Sequence, residues 1–138
     1  MSNVFFLDAC AIIALLAGEK GGENVKQIIQ EALDEKIVLK MNQINLLEAY
    51  YHICKIYNQE EANKVINKLK EFPIEIVTGL SEKAFNEAGR IKSKYKIPLR
   101  DSIIAAECII NNSTLATSDH NDFEQLEEAE NLKIYWIR

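Results

Sequence analysis

Five short apolar runs, separated by stretches with helical spacing, constrain this chain more than any other feature. The runs cover residues 3–7, 37–39, 74–77, 114–117 and 133–136, rich in the branched and aromatic side chains that suit strands. The intervals read as helices. Residues 9–16 are dominated by Ala, Leu and Ile, and Val25, Ile28, Ile29, Ala32 and Leu33 recur at three and four on the inner face of a second helix. Asn42 or Asn45 stands where a third helix would be capped, with Glu48 three residues after Asn45 in a capping-box-like spacing. A fourth helix over 59–71 carries Val65, Ile66 and Leu69. A fifth is capped by Ser81 and points Ala84, Phe85, Ala88 and Ile91 inward. Pro98 forces a boundary before a very apolar sixth helix over 101–110, and the last helix covers 123–129. Strands alternating with helices pair in parallel through crossovers that cover both faces of the sheet, so the expected class is α/β.

The 138 residues fit a single domain spanning 1–138, without linker or repeat. Hydrophobic residues make up 48% and charged residues 27%, the balance of a soluble globular protein. The apolar run over 4–17 is broken by Asp8 and closed by Gly18-Glu19-Lys20; it has neither the cationic start of a signal peptide nor the length of a membrane span. A cytoplasmic protein with no membrane partner is expected. Cys10, Cys54 and Cys108 are odd in number, far apart and set among apolar neighbours, which suits buried, reduced thiols better than disulfides or zinc ligands. A net charge of −5 does not announce a nucleic-acid binder. Locally, however, Arg90, Lys92, Lys94, Lys96 and Arg100 follow one another with no acid among them. Like charges four apart on a helix destabilise it mildly unless an anion faces them, and Tyr95 adds a surface on which a base can stack.

Acids occupy the places where a parallel sheet builds its sites. Asp8 ends the first apolar run, Asp119 and Asp122 follow the fourth, Glu48 sits within Ile44-Asn45-Leu46-Leu47-Glu48-Ala49-Tyr50, and Asp101 precedes Ile103-Ile104-Ala105-Ala106. Ligands in such sheets bind beyond the carboxyl ends of the strands, near the reversal of strand order. Taken singly, Asp8, Asp101 and Asp122 have a plain role as helix caps, Asp119 as a turn residue and Glu48 as an exposed acid. Taken together they need a counter-charge, because two carboxylates about 4 Å apart repel by roughly 4 kcal/mol at an effective dielectric near 20. Mg²⁺ and Mn²⁺ suit an all-oxygen site, and such ions activate water and neutralise charge during displacement at phosphorus.

At these residues the chain resembles the PIN domain family, metal-dependent ribonucleases that include the VapC-type toxins of bacterial and archaeal toxin–antitoxin pairs. The matching pieces are Phe6-Leu7-Asp8-Ala9-Cys10-Ala11-Ile12-Ile13, Asn45-Leu46-Leu47-Glu48, Arg100-Asp101-Ser102-Ile103-Ile104-Ala105-Ala106 and Thr117-Ser118-Asp119-His120-Asn121-Asp122-Phe123. The resemblance implies a three-layer α/β/α sandwich on a mostly parallel sheet of about five strands in the order 3-2-1-4-5. It implies Asp8, Glu48, Asp101 and Asp119 as catalytic metal ligands, with Asp122 assisting, for Mg²⁺ or Mn²⁺. Thr117 matches the small hydroxyl residue placed two before the fourth acid. Cys10 stands where Ser or Asn is frequent, and Asn42 or Asn45 where Ser or Thr often precedes the helical Glu.

The function this implies is a metal-dependent endoribonuclease acting on RNA, the toxin of a toxin–antitoxin pair, working as a homodimer held in check by a cognate antitoxin protein. Arg90, Lys92, Lys94, Lys96 and Arg100 would guide the phosphates. Two other readings compete. An aspartyl-phosphate phosphotransferase would also place an acid at Asp8, but needs a second acid two residues on, where Cys10 stands. A PIN-like protein-interaction module without catalysis would keep the acids without using them.

Overall fold

The computed structural model describes residues 3–138. Five strands, β1 (Val4–Leu7), β2 (Val38–Asn42), β3 (Ile74–Val77), β4 (Thr114–Thr117) and β5 (Lys133–Trp136), form one parallel sheet in the order β3-β2-β1-β4-β5. This is the expected order. Seven helices cover it: α1 (Ala9–Leu16), α2 (Gly22–Leu33), α3 (Gln43–Ile56), α4 (Gln59–Leu69), α5 (Glu82–Lys94), α6 (Leu99–Ile110) and α7 (His120–Glu130).

Alternation along the central strands divides the core into two. Leu7 and Ala116 face a cluster with Ile12, Val25, Ile28 and Ala49 from α1, α2 and α3. Phe6 and Leu115 face the other side, against Ile91, Ile104, Phe123 and Leu126 from α5, α6 and α7. The result is a three-layer α/β/α sandwich. No helix among the described residues is long and apolar enough to cross a membrane.

Several local expectations differ from what forms. The second strand runs on past Leu39 through Lys40 and Asn42, because Lys40 pairs in register with Glu75 of β3 and its Nζ lies 3.1 Å from that carboxylate. Helix α6 begins at Leu99 with Pro98 in the cap position, so Asp101 lies in the first turn rather than opening it. Helix α7 begins at His120, capped by Asp119 and not by Asp122. Asn42 takes the N-cap position of α3 with no side-chain cap bond, and Asn45 is buried inside the helix, so no capping box forms. Phe85 is 66% exposed and Leu33 56%; the buried stripe of α5 is Ala84, Ala88 and Ile91, and Leu33 closes α2 at its exposed end. All three cysteines are free, but only Cys108 is buried, with Cys10 and Cys54 half-buried.

The turn between α1 and α2 shows how tightly the carboxyl-terminal segment is docked. Gly18 and Gly21 both have left-handed φ, +65° and +97°. A Cβ on Gly18 would meet open space, whereas one on Gly21 would lie 2.8 Å from the Ile137 carbonyl oxygen. Gly18→Ala should therefore cost about 1 kcal/mol of backbone strain, and Gly21→Ala about 3 kcal/mol because a backbone clash is added. Urea unfolding of the two variants beside wild type measures the difference.

Candidate active site

The site forms where β1 and β4 end side by side. Register pairs Leu7 with Ala116, so the residues that follow, Asp8 and Thr117, meet. Asp8 is 4% exposed and caps α1: its Oδ1 accepts from the Ala11 amide at 3.0 Å, and its Oδ2 accepts from the Thr117 hydroxyl. The same hydroxyl oxygen accepts from the Asp119 amide at 3.0 Å. Asp119 in turn caps α7, its Oδ1 accepting from the Asp122 amide at 3.2 Å. One short hydroxyl side chain thus ties together both acids that follow strands.

Asp101 and Asp122 come to the same place from the first turns of α6 and α7. Carboxylate oxygens of Asp101, Asp119 and Asp122 all lie within 4.8 Å of one another. Asp8 and Glu48 stand beside this trio. Asp8 is turned toward Thr117 and Ala11, and Glu48, on α3, toward Arg100, whose Nε lies 2.7 Å from Glu48 Oε2. Asp119 joins the two halves electrostatically, since its charge acts on both Asp8 and Asp101.

Crowded, buried acids resist ionisation. Burial pushes Asp8 up to about 7; the hydrogen bonds from Thr117 and Ala11 oppose the rise, and the charges of Asp119 and Glu48 add to it. Burial likewise pushes Asp101 up to about 8, helped by a carboxyl–carboxylate hydrogen bond with Asp122 and opposed by Arg100. Asp119 is raised too, first by burial, with the Asp122 amide opposing. Cys10, half-buried and facing the charges of Asp8, Asp119 and Glu48, is pushed up to about 12 and stays a thiol.

These donors fit a hard divalent cation. They are carboxylate oxygens without a nitrogen or sulfur ligand among them, and buried Asp101 Oδ2 has no hydrogen-bond partner. Asn45, expected as a helix cap three residues before Glu48, is 1% exposed with both amide atoms unpartnered, as are those of Asn42.

The basic segment does not form one surface. Arg90 pairs with Glu87 and, at 2.7 Å, with Glu130; Lys94 lies 3.6 Å from Glu130, and the Tyr95 hydroxyl donates to the same carboxylate. The acids that answer these charges come from the preceding turn and from the end of α7. Lys92 and Lys96 are exposed and, among the described residues, make no ion pair. Arg100 turns into the acidic site, a contact between adjacent site residues that its place next to Asp101 could have signalled.

The PIN domain family matches residues 5–129. The chain belongs to that family. No protein of curated function matches the sequence. Among solved structures, this PIN domain is similar to VapBC from Salmonella typhimurium bound to DNA, with a TM-score of 0.73 at 17% identity, covering 100% of both chains. It is similar to VapBC2 from Rickettsia felis bound to a fragment of its promoter, with a TM-score of 0.72 at 18% identity over 96% of this chain and 97% of that one. VapBC-1 from nontypeable Haemophilus influenzae gives 0.70 at 21% identity over 97% and 98%. At such identities the likeness establishes the fold.

The raised acids predict how stability depends on pH. An unfolded aspartate ionises near 3.9, so above about pH 4 the unfolded chain has released protons that Asp8 and Asp101 still hold in the folded one. Their contribution is therefore fully present below pH 4 and is lost as pH rises through about 7 and 8. In chelator, the melting temperature should fall by roughly 10 °C between pH 5 and pH 8.5. Asp8→Asn should flatten that slope, and Mn²⁺ added at pH 8.5 should restore most of the loss; scanning calorimetry with and without EDTA tests both.

Proposed function

We propose that this PIN domain is a divalent-metal-dependent endoribonuclease and the toxin of a toxin–antitoxin pair. The observation that carries the reading is the meeting of five acids, from the ends of β1 and β4 and from α3, α6 and α7, at the carboxyl edge of the sheet. Nothing in the packing of the core requires them there, and the ionisation of Asp8, Asp101 and Asp119 is held back by burial and by neighbouring acids. A bound cation reverses that cost.

Asp101, Asp119 and Asp122 would hold Mg²⁺ or Mn²⁺ with Asp8 and Glu48 as the further ligands. The cation supplies activation of water and neutralisation of charge at the phosphate under attack. Thr117 keeps Asp8 and Asp119 in place, one hydrogen bond to each. Asp122 supports Asp119 with its amide and brings its own carboxylate to within 4.8 Å of those of Asp101 and Asp119. Lys92 and Lys96, exposed and without an ion pair among the described residues, would be available to phosphates of the phosphodiester chain. Unpaired RNA is the substrate class in which bases are exposed to a protein.

The toxin part of the proposal draws on the fold. The similar chains are VapBC complexes, and another is a toxin–antitoxin complex from Klebsiella pneumoniae. That likeness supports a cognate antitoxin protein as partner; the proposal adds a homodimer working in the cytoplasm. A second reading, an interaction module without catalysis, has one observation behind it: Glu48 is engaged by Arg100.

Asp8→Asn and Asp101→Asn should fold as wild type does and lose Mn²⁺-dependent cleavage of an RNA pool by about 100-fold or more. Cleavage by either variant at the wild-type rate, or none by wild type beside a tight protein complex, favours the second reading. Lys92→Ala with Lys96→Ala should weaken RNA binding and reduce the salt slope of binding by about 1.4, from roughly 0.7 per phosphate on single strands. Fluorescence anisotropy across a salt series measures it.

A further inference from the structure

Arg100 is set among the acids, whereas Lys92 and Lys96 are exposed and make no ion pair among the described residues. Its Nε lies 2.7 Å from Glu48 Oε2 and 3.9 Å from Asp101 Oδ1. The Nε is buried, yet it makes no hydrogen bond even to Glu48. Charge brings the pair together, without a fitted donor and acceptor. The side chain as a whole is 38% exposed, that of Glu48 22% and that of Asp101 6%. The pair therefore sits at the outer rim of a site whose floor is closed.

Two consequences follow from elementary chemistry. A carboxylate that a divalent cation needs is already engaged by a cation of the chain, so the two compete for it. A guanidinium cannot neutralise itself by losing a proton, and its planar fork of donors matches phosphate oxygens. Once it leaves Glu48, a permanent positive charge stands at the rim beside the acids, free to meet an anion.

Building on the nuclease reading, we infer that Arg100 is an exchangeable counter-ion: it holds Glu48 in the cation-free protein, yields it when a divalent cation binds, and then takes a phosphate of the RNA. The cation and the phosphodiester chain then bind cooperatively. Whatever the cation gains from a nearby phosphate, the phosphate gains from the cation, because a coupling free energy is reciprocal. A purely structural Arg100 predicts the opposite sign. If it served only to orient Glu48, its removal would leave that ligand misplaced and weaken cation binding.

Mn²⁺ binding to the full chain, followed by electron paramagnetic resonance of the free ion, separates these cases. It is measured alone and with a short 2′-O-methyl phosphorothioate oligonucleotide that resists cleavage. In wild type the oligonucleotide should tighten Mn²⁺ binding by about threefold or more. Arg100→Gln should bind Mn²⁺ alone up to about fivefold more tightly than wild type, the range of a partly exposed ion pair, and should lose the tightening by the oligonucleotide. Arg100→Lys, which keeps the charge without the fork, should restore the weaker Mn²⁺ binding. Mn²⁺ binding by Arg100→Gln that is equal to or weaker than that of wild type, or still tightened by the oligonucleotide, overturns the exchange while leaving the nuclease reading intact. Wild-type protein that binds no Mn²⁺ overturns both.

Discussion

The Thr117 hydroxyl donates to Asp8 and accepts from the Asp119 amide, and through it the ends of β1 and β4 become one site. The parallel register of the two strands brings the residues together. The chemistry of the side chain then decides what they do. A hydroxyl carries one proton to give and lone pairs to receive with, so it serves a carboxylate on one side and a backbone N–H on the other. Valine has the same shape and neither capacity. With Asp8 and Asp119 fixed, α1 and α7 start where those acids cap them, and Asp122 is carried to Asp119 by the first turn of α7. Asp101 needs only the crossing of α6 over the same edge.

The layered architecture was legible in the sequence because parallel strands buried on both faces read as short apolar runs, and the helices between them show a clear inner stripe. What was less legible depends on partners far along the chain. Polar Lys40 and Asn42 conceal the last part of β2, and Lys40 finds its partners far along the chain, in Glu75 on the neighbouring strand and in the charge of Glu107 on α6. Arg90 and Lys94 look like an unopposed basic face until α7 brings Glu130 to them from about forty residues away, lowering that carboxyl to about 2 chiefly through its hydrogen bond from Arg90. Phe85 sits one position off the stripe of Ala84, Ala88 and Ile91, and nearest-neighbour spacing alone does not tell which of two adjacent apolar residues turns inward.

The acids themselves were each ambiguous, and their plain local roles held only in part. Asp8 caps α1 as expected, Asp119 caps α7 in place of Asp122, and Asp101 lies in the first turn of α6 behind Pro98. Capping and ligation draw on different oxygens of one carboxylate or on different states of it, so the plain reading and the functional one are compatible rather than rivals. Separate stretches of sequence could not show that a second set of acids, Asp101 and Asp122, would arrive within hydrogen-bonding reach of each other beside a capping pair.

One basic segment has been divided by the fold into three tasks. Arg90 and Lys94 fasten the end of α5 to the end of α7, Lys92 and Lys96 remain in solvent, and Arg100 enters the acidic cluster. The first task contributes little stability, as exposed ion pairs generally do. The last bears on the whole site, because Arg100 opposes the rise of Asp101 and Asp119 while leaving Asp8 to burial and to its two hydrogen bonds. One guanidinium cannot balance five acids. The folded chain therefore carries uncompensated negative charge at the sheet edge or holds protons on Asp8 and Asp101 in its place, and any ligand that binds only the folded form and supplies positive charge is driven by the relief of that cost as well as by its own coordination. Binding at this edge and stability of the fold are then two readings of a single free energy.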